Sequence, residues 1–136
     1  MSNHPPEMES YLQSLCTGTP RACFQAAQEL IQFGKAAETP LVELLTQIKD
    51  PFKLHEILKV LCIIKISRSE SIESVLRLLN HAEPFVRAGA AQCLLKSSPK
   101  LRPYLGRIQS VLKKEKNTQI RASLQKLLQR YPDKST

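Results

Sequence analysis

Ala91-Gln92-Cys93-Leu94 is one of four short blocks with the same pattern; the others are Ala27-Gln28-Glu29-Leu30, Leu58-Lys59-Val60-Leu61 and Leu124-Gln125-Lys126-Leu127. The blocks recur at a nearly constant interval along the chain. Self-similarity at a fixed period in this range marks a stack of repeated supersecondary units rather than one globular core.

Outward from each block the apolar residues keep a helical period: Ala26, Ala27, Leu30 and Ile31; Ile57, Leu58, Leu61 and Cys62; Ala90, Ala91, Leu94 and Leu95; Leu124, Leu127 and Leu128. A second periodic run precedes each: Tyr11, Leu12 and Leu15; Leu41, Leu44, Leu45 and Ile48; Ile72, Val75, Leu76 and Leu79; Leu105, Ile108, Val111 and Leu112. Thr19-Pro20, Asp50-Pro51 and Glu83-Pro84 each set an acceptor side chain before a proline, which suits a cap followed by the first helical position. Asn117-Thr118 keeps the capping oxygen and loses the proline. Thr39-Pro40 opens the first helix of the second unit, and Ser67 with Glu70 forms a capping box for that of the third. No stretch alternates with period two for long enough to argue for a strand. The fold class expected is all-α, an α-solenoid of about four antiparallel helix pairs. The units span about 7–35, 38–66, 69–98 and 101–131, within one domain at 7–131, flanked by disordered tails at 1–6 and 132–136. Gly89 falls inside a helix, where it costs about 1 kcal/mol relative to Ala, and implies close approach of a neighbouring helix.

With 136 residues, 42% of them hydrophobic, the chain can bury a continuous core without disulfide or metal support. The longest apolar stretch, Val60 to Ile64, is far short of the roughly 20 residues of a membrane span. The N-terminus has neither the positive cluster nor the apolar run of a signal peptide, so the expected compartment is the cytoplasm. Cys16, Cys23, Cys62 and Cys93 lack C-x-x-C spacing and are read as structural. His4, His55 and His81 are scattered, so no metal site is expected. No Ser/His/Asp, Cys/His or paired-carboxylate cluster stands out from spacing, and the four glycines form no phosphate loop. The chain is therefore read as non-enzymatic, with no cofactor.

The run Glu83-Pro84-Phe85-Val86-Arg87-Ala88-Gly89-Ala90-Ala91, in a unit of this length, resembles the HEAT repeat in its short bacterial-type form. Ile120-Arg121-Ala122-Ser123-Leu124 is a looser match, and the first two units keep the proline and a nearby cation but lose Val-Arg. The resemblance covers about residues 8 to 131. It implies a superhelix in which the acid of the turn and the arginine of the helix tie adjacent repeats, parts that Glu83 and Arg87 would take. Asp50 has no matching arginine and Arg121 no matching acid.

In such a stack the second helices line the inner face, with neighbours about 8–10 Å apart. Superposition by the observed intervals puts Phe24, His55, Ala88 and Arg121 in one row, Gln28, Lys59, Gln92 and Gln125 in the next, and Gln32, Ile63, Lys96 and Gln129 in a third. That face suits a protein–protein interaction adaptor, with His55, Lys59, Gln92, Lys96, Arg121 and Gln125 as the partner-binding residues. The competing account is a merely solvated helix face.

Charge is uneven. Residues 1–68 carry seven Lys/Arg and seven Asp/Glu, whereas residues 69–136 carry thirteen against five, the whole of the net +8. A basic half attracts acidic protein surfaces or phosphate backbones, and salt weakens both. The expected basic patch is Arg107, Lys113, Lys114, Lys116, Lys126 and Arg130. Nucleic acid is the alternative partner, bound by its backbone alone, because no aromatic interleaves with these cations to stack bases. Self-association through the uncovered C-terminal repeat is a third expectation.

Overall fold

In a computed structural model, residues 6–97 and 100–131 are described. They form eight α-helices and no strand. The helices are α1 (Pro6–Thr17), α2 (Pro20–Ile31), α3 (Glu38–Leu45), α4 (Pro51–Ile64), α5 (Ser69–Leu78), α6 (Pro84–Leu95), α7 (Leu105–Lys114) and α8 (Thr118–Gln129). Short 3-10 turns at Gly34–Ala37 and Arg102–Tyr104 precede α3 and α7. The tails expected at 1–6 and 132–136 lie outside the described residues except for Pro6, which opens α1. The end expected for the third unit, at 98, lies outside them too.

Three of the four second helices begin as their sequences dictate. The Thr19 hydroxyl accepts from Ala22 N–H at 3.2 Å, the Asp50 carboxylate from Phe52 N–H at 3.0 Å, and the Asn117 amide oxygen from Gln119 and Ile120 N–H at 2.9 and 3.0 Å. Glu83 occupies the same position before Pro84 but makes no side-chain cap.

Two first-helix starts differ from expectation. α3 begins at Glu38 behind the 3-10 turn, so Thr39-Pro40 lies inside its first turn, where proline loses no bond. The Ser67–Glu70 capping box does not form. Arg68 holds the N-cap position of α5 and its side chain does not cap. Glu38, 3% exposed at the start of α3, reaches across instead. Its Oε2 accepts from Ser67 N–H (2.9 Å), Arg68 N–H (3.1 Å) and the Ser71 hydroxyl (2.6 Å), while Oε1 accepts from the Ser67 hydroxyl at 3.2 Å. The orphan N–H groups of α5 are thus satisfied by the preceding pair.

Packing follows the period. Each second helix lies on its own first helix, and α2, α4, α6 and α8 touch in chain order; α1 touches α3, and α3 touches α5. The buried positions repeat with the sequence: Ala27, Leu58, Ala91 and Leu124 are at most 2% exposed, and Leu30, Leu61, Leu94 and Leu127 are fully buried. Gly89 sits where α6 crosses α4. A Cβ there would lie 3.3 Å from Leu58 Cδ1 and 3.4 Å from His55 Cδ2, which accounts for a glycine within the helix.

The tie between the last two pairs runs through Arg87, but not to Glu83. The Arg87 guanidinium grips the carboxylate of Glu115, just past α7, with Nε and Nη2 at 2.9 and 3.1 Å, and Nη1 donates to the carbonyls of His81 and Ala82. Glu115 also accepts from Asn117 N–H at 3.0 Å. In the sequence Glu115 only interrupts a basic run; its side chain is 4% exposed. Replacing Arg87 by Leu should cost about 2–3 kcal/mol, because a buried carboxylate loses its bidentate partner and keeps one backbone donor. Denaturant midpoints of Arg87→Leu and Glu115→Gln, alone and combined, check this: the double variant should cost less than the sum.

Candidate functional site

The three rows expected on the second helices lie side by side. Gln28, Lys59, Gln92 and Gln125 are all exposed, as are Gln32, Ile63, Lys96 and Gln129. In the remaining row Phe24 is exposed, while His55, Ala88 and Arg121 are half-buried. Contacts across the seams join the rows. The Lys59 ammonium lies 5.3 Å from the centre of the Phe24 ring, the His55 and Phe85 rings meet edge to face at 5.7 Å, and the Gln92 amide donates to the Ser123 hydroxyl at 3.1 Å.

A fourth row is not among those expected. One turn towards the helix N-termini, the same intervals align Arg21, Phe52, Phe85 and Thr118, all exposed. Phe52 and Phe85 are 38% and 43% exposed, Phe24 47% and Ile63 57%. These four are the exposed large hydrophobic residues of the described chain, and all lie in the four rows. Phenylalanine at equivalent positions of two successive units, Phe52 and Phe85, is the signal the sequence offers for it.

The rows contain no carboxylate. The acid nearest them, Glu56, is buried at 4% exposure beneath Lys59, whose ammonium is 3.2 Å from its Oε1 without hydrogen-bond alignment. Burial, with the Lys59 charge second, lowers the His55 pKa, so the ring beside Phe85 is uncharged at neutral pH. Arg121 is occupied otherwise than expected. Its guanidinium donates to the carbonyls of Leu112 and Glu115 at 2.6 and 2.9 Å and closes the C-terminus of α7. It thus serves the fold as well as the row.

The basic residues are divided among separate places. Arg107 and Lys114 line a cavity of about 220 Å³ between α5 and α7, and Lys114 and Lys116 line an adjoining one of about 290 Å³. Arg107 pairs with Glu73 at 2.7 Å. Lys126 and Arg130 belong to α8, and the Arg130 guanidinium is tied to the carbonyl of Leu95. Lys113 is exposed.

All four cysteines are free thiols. Burial pushes every one of their pKa values up, Cys93 furthest, which leaves them protonated and poor nucleophiles. Among the described residues no group of three or more His, Cys, Asp or Glu is arranged to hold a metal, and no helix is long and apolar enough to cross a membrane. Compared with protein-family models, curated proteins and solved structures, the chain matches none.

Proposed function

We propose that this chain is a non-enzymatic interaction module of the HEAT-like α-solenoid type, which binds a segment of another protein across the exposed face of α2, α4, α6 and α8. The observation that carries the reading is the placement of Phe24, Phe52, Phe85 and Ile63 on one face. Exposed aromatic side chains in a row are the residues that anchor a partner, whereas a merely solvated face would be polar. The order of contacts, second helix on second helix from α2 to α8, supports the solenoid.

Charge supports the chemistry of the partner. Arg21, Lys59 and Lys96 stand among the apolar anchors and no acid does, so the segment that fits carries Leu, Ile or Phe together with Asp or Glu. Gln28, Gln92 and Gln125 offer amides that both donate and accept, suited to a partner's main chain.

Selection from a displayed peptide library tests this. Selected peptides should combine apolar and acidic residues, and the Phe52→Ser/Phe85→Ser variant should bind them at least about tenfold more weakly, the loss of about 1.4 kcal/mol. Its melting temperature should stay near that of the parent, because both rings are already exposed. Equal binding by parent and variant, or peptides lacking acids, would overturn the reading.

A further inference from the structure

We infer that the cleft between α5 and α7 is an anion site that takes a small polyphosphate or phosphomonoester ligand, on the first-helix side and apart from the phenylalanine rows. The two cavities there share Asn80, Val111 and Lys114, so they form one continuous depression. Its polar lining consists largely of donors. Lys114 and Lys116 make no ion pair among the described residues. The Ser110 hydroxyl and the Asn80 amide add neutral donors. The His81 ring is oriented by Glu83 N–H, which donates to Nδ1 at 3.0 Å; the neutral ring therefore carries its proton on Nε2.

The acids at this place are both engaged. Glu115 is gripped by Arg87 and covered. Glu73, about half-exposed, holds Arg107 at 2.7 Å and is the residue an incoming anion would displace. A phosphate group matches this set, since it spreads its charge over several acceptor oxygens and can meet two ammonium groups, one guanidinium and a hydroxyl together. A duplex backbone matches it less well. The cations on α8 are not in the cleft, and a cavity of a few hundred cubic ångströms holds a small anion rather than a long rod.

The test is calorimetric titration of the full chain with pyrophosphate at ionic strengths of about 0.01 and about 0.15 M. The parent should show saturable binding that weakens at the higher salt. Lys114→Ala/Lys116→Ala should weaken it by about tenfold, and Glu73→Gln should tighten it by about threefold by releasing Arg107. Lys126→Ala should leave it unchanged, and all of these variants change exposed side chains, so their melting curves should match the parent's. No saturable binding at the lower salt would overturn the proposal. So would an equal loss from Lys126→Ala, which would mean diffuse attraction to net charge. Tighter binding of a short random-sequence duplex than of pyrophosphate, lost through Lys126→Ala as much as through Lys114→Ala, would replace the small anion with nucleic acid. None of these results bears on the peptide-binding face, which Phe52→Ser/Phe85→Ser probes separately.

Discussion

Leu94→Ala is expected to lower the unfolding free energy by about 3–5 kcal/mol, measured from the urea midpoint at an unchanged denaturant slope. Leu94 is fully buried in α6, and α6 is packed against α4, α5 and α8. Removing its isobutyl group leaves a void walled by several helices, and such walls relax little. The position one period on, Leu127, is equally buried, but α8 packs chiefly against α6 and α7. A site with fewer fixed walls can collapse, so Leu127→Ala should cost less, about 2–3 kcal/mol. If Leu127→Ala matched or exceeded Leu94→Ala, neighbouring pairs would not be what makes these leucines costly to truncate.

The contrast between these two leucines shows what periodicity does and does not encode. Local signals were legible. A leucine that returns once per unit, as Leu30, Leu61, Leu94 and Leu127 do, must be buried by something in each unit, and Thr19, Asp50 and Asn117 announce helix starts because a cap needs only the residues just after it. The all-helical class followed from them. The start of α5 was not legible, since its cap is Glu38, which belongs to the preceding helix pair and lies far upstream in the chain. An acid at the head of α3 and a Ser-Arg-Ser run ahead of α5 carry no mark of each other in one sequence. The Arg87–Glu115 grip is hidden for the same reason, and the nearer Glu83 stood as a decoy.

The candidate site divides in the same way. Exposure of the Gln28 and Gln32 rows was readable, because polar residues at a fixed register of a packed helix face water. Phe52 and Phe85 escape such a reading because an apolar residue in a helical pattern is usually core. Only the alignment one turn earlier separates them from it: Leu54 and Val86, close by in the chain, are buried while these two rings are not. The opening between α5 and α7 depends on how far two first helices splay, a property of packing that no residue spacing records.

Glu38→Ala should cost about 3–5 kcal/mol, and the same carboxylate should give the protein a steep acid limb. In the parent, Glu38 stands at the N-terminus of α5, where the exposed N–H groups carry partial positive charge, and it receives four hydrogen bonds there. Truncation leaves the Ser71 hydroxyl, on a residue 1% exposed, and two backbone N–H groups without their acceptor. Burial alone would raise the Glu38 pKa, yet the bonds from Ser71, Ser67 and Arg68, with the Lys35 charge, bring it below the ordinary value. A folded-state pKa below the unfolded one gives stability that is complete above the unfolded value, near about 4.3, and lost as pH falls through the folded value. The parent should therefore unfold at progressively lower denaturant below about pH 4.5. Glu38→Gln should start from a lower midpoint at neutral pH and fall less over the same range. Some slope should remain, because Arg87 and Asn117 N–H hold the Glu115 pKa down in the same direction against its burial. Parallel midpoint curves for parent and Glu38→Gln would mean that the carboxylate is not what ties α3 to the head of α5, and the capping of one pair by the one before it would have to be abandoned.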